Sequence, residues 1–454
     1  MLNVILFFST YMAGSLFAVF RHPVYAFVLY EAVYFFNPPN RWWGGLVPYL
    51  SYSFYVVCLM LVLFLFKYKD FKENRLFDVP QFKWMYFIVF LYSFAYFYAA
   101  LPQYHLEYMI NFIKLIIIVS VAYKLIDSEG KLNAIIYGYI FGSWYIGWVA
   151  FETGRNAGGR VEGIGTVDSP DANGIAAAIT PSLVLCLYYF WIHKSKMAKG
   201  IFVFAGLFIA NGLVLINSRG AFLGVAASVL FFMYHMYFSS FQRKFQKATA
   251  IFITLFGLMG AATLVDESFI ERMKTITNTQ VSEEHENAAT RTIFWKAAWE
   301  MAKDHPFGAG FHGFNHYAEF YIPYGFNTGG KINRTVHSSW FEALSEIGYP
   351  GLIGLIMMLV VVWRTLNLCK KELRKRNHVD EYFKIVALQA ACIAFLLAMT
   401  FINRLRAEVL YWLVLFSACA YNLYVLKKCK TLEGPGESEE NRPDERPVNG
   451  ERIA

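Results

Sequence analysis

Apolar stretches of about 20 residues, each enough to cross roughly 30 Å of hydrocarbon, recur along the whole chain. Short polar turns separate them, and one long polar excursion, residues 266–338, interrupts them. The apolar stretches predict helices over 2–20, 23–37, 45–67, 82–101, 106–124, 132–151, 173–193, 199–216, 220–238, 248–265, 339–363, 383–401 and 407–426. The second is short and stops at Asn37-Pro38-Pro39, so it reads equally as a half-helix, and a total of 12 fits as well as 13. The pattern describes an all-α polytopic membrane protein: a bundle over 1–426, with 266–338 as a long periplasmic loop carrying short helices. Residues 427–454, rich in Glu, Pro, Gly and Asn, read as a disordered cytoplasmic tail.

Basic residues in short loops give the orientation. Lys67–Arg75, His193–Lys199, Arg243–Lys247 and Arg364–Arg376 are rich in Lys and Arg, all fall on one side, and mark it as cytoplasmic. The loops 152–172, 217–220, 266–338 and 402–406 then face outward. Cytoplasmic loops use mainly Lys, whereas the outward ones use mainly Arg: Arg41, Arg155, Arg160, Arg219, Arg272, Arg291, Arg334, Arg404 and Arg406. Guanidinium binds phosphate bidentately and stays charged at any relevant pH. An outward polyphosphate site accounts for this set; ordinary surface charge paired with carboxylates is the competing account.

Composition narrows the class. At 57% hydrophobic and 19% aromatic, with mean hydropathy +0.38, the chain is not a soluble globular protein, for which about 45–50% apolar residues are typical. A net charge of +8 without a basic tail or stripe does not indicate nucleic-acid binding. Leu2–Phe20 lacks a basic leader and a small-residue cleavage site, and reads as a retained helix. The six cysteines (Cys58, Cys186, Cys369, Cys392, Cys419 and Cys429) lie in apolar spans or cytoplasmic segments, which predicts neither a disulfide nor a Cys metal site.

Several polar positions carry candidate chemistry. Asn217-Ser218-Arg219-Gly220 is a turn between two spans, in which Gly220 is expected to permit the tight turn and Arg219 to reach the outer end of the bundle. Snorkelling to lipid headgroups is the other reading of Arg219. Thr290–Trp299 predicts a helix capped by Thr290 or Asn287, with Phe294, Ala298 and Met301 on one face and Trp295 and Trp299 beside it. Arg291 in its first turn suits an anion as well as it suits solvent. His337, at the mouth of the next span, could take a proton from a hydroxyl, hold phosphate when charged, or merely cap a helix. His305, His312 and His316 are not at metal-ligand spacing, so no metal site is expected. Asp171 or Asn173 reads as an ordinary N-cap. Lys114, well inside a span, is a functional candidate against snorkelling and pairing.

Taken in order, five pieces resemble the bacterial O-antigen ligase and Wzy-type polymerase superfamily: Gly165–Ala176, Ser218-Arg219-Gly220-Ala221, Arg291 with Trp295, Asp304–Gly310, and His337–Gly351. Arg21-His22-Pro23 to Asn37-Pro38 also resembles the exosortase-associated O-glycosylation ligase branch. Two departures stand out: the family's usual His-Asn is here His337-Ser338, and its usual Asp-Pro-Asn is Asp171-Ala172-Asn173. The resemblance implies a GT-C-like bundle that moves a glycan from undecaprenyl pyrophosphate to a lipid, protein or glycan acceptor among membrane lipids, with no cofactor, no metal and no nucleic acid. It implies that Arg219 and Arg291 bind the pyrophosphate and His337 lies at the reacting centre. Lys114, Arg160, Asn173, Arg404 and Arg406 complete the candidate substrate-binding set. A Wzy-type polymerase is the alternative within the class, and a lipid-linked oligosaccharide flippase the alternative outside it. A transporter needs polar groups along a path through the bundle, whereas here they crowd the outward end, Lys114 apart.

Overall fold

The computed structural model describes residues 1–156, 159–265, 267–274, 288–323 and 335–427; within helices, the side chains of Leu264, Ser268, Arg272 and residues 288–290 are not described. The helices are α1 (Leu2–Phe20), α2 (Val24–Phe36), α3 (Tyr52–Phe66), α4 (Pro80–Ala95), α5 (Pro102–Leu125), α6 (Glu129–Thr153), α7 (Ala172–Ile192) and α8 (Lys196–Ile216). They continue as α9 (Arg219–Phe238), α10 (Gln246–Leu264), α11 (Glu267–Lys274), α12 (Ala288–Asp304), α13 (Gly313–Tyr321), α14 (Ser339–Lys375), α15 (Val379–Met399) and α16 (Glu408–Tyr421). Every apolar stretch read from the sequence is one of these helices, and the protein is an all-α polytopic membrane protein. Among the described residues, nine helices are long and apolar enough to cross a membrane: α1, α5 to α9, α14, α15 and α16 with its π-helical extension to Leu426.

The expectation of 12 or 13 spans therefore holds as a count of helices but not as a count of long ones. At 1.5 Å per residue, the 13 residues of α2 reach only about 20 Å. Most of α2 is buried, packed against α1, α3 and α6, so its length answers to protein neighbours rather than to lipid. It is a whole short helix, ended by Asn37 in the left-handed conformation (φ 40°).

Hydrogen bonds sort the connections into two ends. At one end Asn74 Nδ2 donates to the carbonyls of Lys124 and Ile126 (3.1 and 3.0 Å), and Asn422 Nδ2 donates to Asn74 Oδ1 (2.9 Å). Arg374 reaches Ser240 (2.6 Å), Arg243 reaches the Ile192 carbonyl (3.2 Å), and Lys384 pairs with Glu129. At the other end Asn3 Nδ2 donates to Glu152 (2.7 Å), and Asn37 Nδ2 to the Gly165 carbonyl (2.9 Å). The Lys-rich connections gather at the first end, the arginines singled out above other than Arg272 and Arg334 at the second, and α1 begins at the second. Away from the central helices α1, α3, α8 and α10 present exposed Phe, Leu and Ile side chains, as lipid-facing helices do.

Inside the polar excursion, residues 305–311 bind α14 at a break. Ile347 and Gly348 leave helical geometry (Gly348 φ 67°) and Pro350 has no N–H to offer Glu346 O. The loop supplies what the helix lost. Ala309 N–H donates to Ser345 O, Gly310 N–H to Glu346 O, and Pro306 O accepts from Tyr349 N–H, each at 2.9 Å. The backbones approach so closely that a Cβ on Gly308 would lie 2.4 Å from Glu346, and one on Gly348 2.1 Å from Pro306 O. Both glycines also have positive φ. Gly348→Ala is expected to lose about 1–3 kcal/mol from backbone strain alone, read as a lower unfolding midpoint in detergent, while an alanine at Gly130, which has open space around it, leaves the midpoint unchanged.

Candidate functional site

The turn between α15 and α16 holds the second end together. Asn403 Oδ1 accepts from Ser338 N–H (3.0 Å), and Ser339 Oγ donates to Ile402 O (2.9 Å) while accepting from Arg404 N–H (2.7 Å). Leu405 N–H donates to Glu342 (3.1 Å). On its other side the Arg404 guanidinium donates to Asp168 O (2.8 Å) and pairs with Asp171 (3.0 Å). It lies flat against Gly174, where a Cβ would overlap it at 1.2 Å. Asp171 is the N-cap of α7 and accepts from Gly174 N–H (3.0 Å), as expected for a capping aspartate. Asp168 ties in α2 and α16 by accepting from Tyr34 OH (2.5 Å) and Glu408 N–H (2.8 Å). Arg404 is thus 7% exposed and clamps three segments.

Arg406 serves a second cluster. It pairs with Glu342 (3.1 Å) and Glu346 (3.3 Å) of α14 and stacks over Phe311 (4.6 Å) and Tyr108 (5.1 Å). Tyr92 OH and His312 N–H complete the Glu346 shell at 2.7 and 3.1 Å. Burial alone would lower the pKa of the Arg406 guanidinium; Glu346 and Glu342 outweigh it and hold the group above its ordinary value. Both carboxylates were missed in the sequence, where Glu342 and Glu346 look like ordinary acids near a helix start. The four-residue spacing on one helix face was the available signal.

Arg160, Asn173 and Arg219 meet nearby. Arg155 and Val161 bind the end of α8: Val161 N–H donates to Leu215 O (3.1 Å) and Arg155 Nη2 to Val214 O (3.0 Å). This brings Arg160 Nη2 to Asn173 Oδ1 in the first turn of α7 (3.1 Å). Arg160 Nε is buried and makes no hydrogen bond among the described residues. Burial lowers the Arg160 pKa, with Glu162 and Asp171 only partly opposing it. Arg219, the first residue of α9, feels the like charge of Arg160. The turning residue before it is Asn217 (φ 57°), not Gly220. Gly220 lies inside the first turn of α9, where an added Cβ would meet Phe401 at ordinary contact distance, 3.4 Å.

Phe401 links this group to α12. Its ring lies 6.2 Å from that of Trp295, which stacks on Phe341 at 5.6 Å. Arg291 stands one turn before Trp295. His337, held with φ 49°, lies with its ring 6.4 Å from Phe294 on the same helix and within 3.1 Å of Thr335 Oγ1. Phe294, Ala298 and Met301 form the fully buried face of α12 that their spacing predicted; α12 begins at Ala288, so Thr290 lies within it and does not cap it, and Asn287 lies outside the described residues.

The candidates therefore fall into three groups. Arg219, Arg160 and Asn173 border the α8–α9 turn; Arg291 lies on α12, against which His337, just before α14, sets its ring. Arg404 and Arg406 join carboxylates instead, the competing account for outward arginines. Arg41 likewise binds the Phe35 and Gly165 carbonyls (2.7 and 3.1 Å), closing the end of α2. Lys114 stands apart, exposed on α5 and bonded to Asn111 (3.4 Å). The Arg272 side chain, Arg334, Cys429 and the tail from 428 lie outside the described residues.

Replacing Arg406 with Leu leaves Glu342 and Glu346 buried without their cation and is expected to cost about 3–5 kcal/mol. Adding Glu342→Gln and Glu346→Gln should recover most of that loss in thermal unfolding.

Residues 204–356, about a third of the chain, match the family model described as O-antigen ligase. The matched stretch contains Arg219, Arg291, His337, Glu342 and Glu346, while Arg160, Asn173, Arg404 and Arg406 lie outside it. No curated protein matches the chain. Over that stretch the chain is similar to the O-antigen ligase family, which supports the resemblance to the O-antigen ligase/Wzy superfamily and, coarsely, glycosyl transfer of the ligase or polymerase type in a membrane.

Proposed function

We propose that the protein transfers a glycan from undecaprenyl pyrophosphate to an acceptor hydroxyl, at the arginine-rich end of a bundle set in the bacterial inner membrane. That end faces the periplasm on this reading. The gathering of Lys-rich connections at the opposite end supports the orientation. The observation that carries the reading is the meeting of two helices at Phe401: α9, which begins with Arg219 and has Arg160 beside it, and α12, which carries Arg291 one turn before Trp295 and packs Phe294 near His337.

The chemistry follows from charge. A polyprenyl pyrophosphate is already a good leaving group, so the barrier lies in stabilising negative charge as the anomeric C–O bond breaks. Arg219 and Arg291 supply fixed guanidiniums that remain charged and need no proton bookkeeping. His337 accepts the proton of the attacking hydroxyl, and the leaving pyrophosphate departs as the anion the arginines hold. A base positioned in this way contributes typically ~10²–10⁴-fold. Asn173 and Arg160 extend the anion site towards the start of α7, and Arg404 and Arg406 keep the surrounding loops in register.

Arg219→Ala, Arg291→Ala and His337→Ala are each expected to reduce transfer at least ~100-fold in detergent with a lipid-linked donor, with normal insertion and elution. Near-normal transfer in Arg291→Ala would refute the assigned site. Transport has no meaning in detergent, so no transfer by the wild-type chain there would instead favour a flippase. Product length separates ligase from polymerase: an intact glycan on a new acceptor, or a ladder of repeat units.

A further inference from the structure

Helix α5 carries polar residues where a membrane-crossing helix is expected to be apolar. Gln103, Glu107, Asn111 and Lys114 are spaced by four, four and three residues, so they form one line along the helix. All four are exposed, while the opposite face buries Phe112, Leu115, Ile116 and Val119 against the bundle. Among the described residues neither Glu107 nor Lys114 forms an ion pair, and Lys114 has the single bond to Asn111. Charges on such a helix call for a polar partner rather than acyl chains.

The line begins at the end that carries the arginines. His105 Nδ1 accepts from Phe311 N–H (3.1 Å), and Tyr108, beside Glu107, packs on His312 (4.9 Å) and under Arg406. From there it descends: Glu107 lies about 8 Å and Lys114 about 18 Å along the axis from Pro102. Helical side chains lean towards the N-terminus, so the Lys114 ammonium points back up the line to Asn111. The acid is shallow and the base deep. A phosphoethanolamine headgroup in the adjacent leaflet has the complementary order, its primary ammonium outermost and its phosphate nearer the glycerol.

We propose that this face of α5 docks the headgroup of an aminophospholipid from the leaflet at the arginine-rich end. Lys114 and Asn111 meet the phosphate, and Glu107 accepts hydrogen bonds from the ammonium. A quaternary choline cannot donate those bonds, and a glycerol headgroup brings no positive charge to Glu107. Lys114, set apart from the proposed transfer site, thereby has a ligand of its own, and the inference stands whether or not that site performs glycan transfer.

The test is lipid retention by the full-length protein, purified from nanodiscs of equal parts phosphatidylethanolamine, phosphatidylcholine and phosphatidylglycerol and read by native mass spectrometry. At least five-fold more ethanolamine lipid than either competitor is expected. Glu107→Gln should remove the preference over choline, and Lys114→Met should reduce retention of all three. Equal retention by the wild-type chain, or a preference for phosphatidylglycerol, overturns the proposal. So does efficient disulfide cross-linking of Asn111→Cys between two copies in the membrane, which would make the partner a second chain.

Discussion

The arginine-rich end of this bundle depends on one buried guanidinium. Arg404 joins the Asp168 carbonyl and the Asp171 carboxylate, while its own backbone is fastened to Ser339 at the entry of α14. Through these bonds the start of α7, the start of α14 and the turn before α16 become one rigid rim. A loop could not hold such positions alone, because each ordered residue loses about 1–2 kcal/mol of backbone entropy. Everything proposed for Arg219 and Arg291 presumes that rim. Phe401, which lies between their helices, is part of the same turn.

Two uses of arginine coexist at this end, and the protein separates them by what stands opposite. Arg404 and Arg406 face carboxylates, so their charge is compensated within the fold. Arg160 faces an amide, with Arg219 adding like charge beside it. A buried pair contributes little net stability, yet losing one partner is costly, which suits groups that fix geometry. The break in α14 belongs to the first kind. It places Glu346 where Arg406, Tyr92 and His312 converge, and the glycine-rich loop restores the hydrogen bonds the break removed.

Much of this was legible in the sequence, because hydropathy in a membrane chain reports directly on the backbone's need to satisfy its own hydrogen bonds. All the helical stretches, the segregation of Lys-rich from Arg-rich connections, the Asp171 cap and the buried face of α12 followed from it. What was not legible rests on contacts distant in sequence. Nothing near Arg404 or Arg406 reveals the acids they meet on α7 and α14. Gly220 reads as a turn glycine until Phe401 is found against it, with Asn217 making the turn instead. The shortness of α2 was legible from its stop at Asn37-Pro38-Pro39, but its packing as a whole helix against α1, α3 and α6 required the fold. Lys114 already stood apart from the arginines in the sequence, but its exposure on the outer face of α5 required the fold.

The central claim, that fixed guanidiniums of α9 and α12 anchor a pyrophosphate, is tested most directly by binding. Undecaprenyl pyrophosphate should be titrated into the detergent-solubilised protein with and without chelator, alongside Arg219→Ala and Arg291→Ala. The account predicts affinity that survives chelation and falls at least ~10-fold in either variant, a loss of about 1.4 kcal/mol. Binding that vanishes with chelator and is indifferent to both arginines would contradict it.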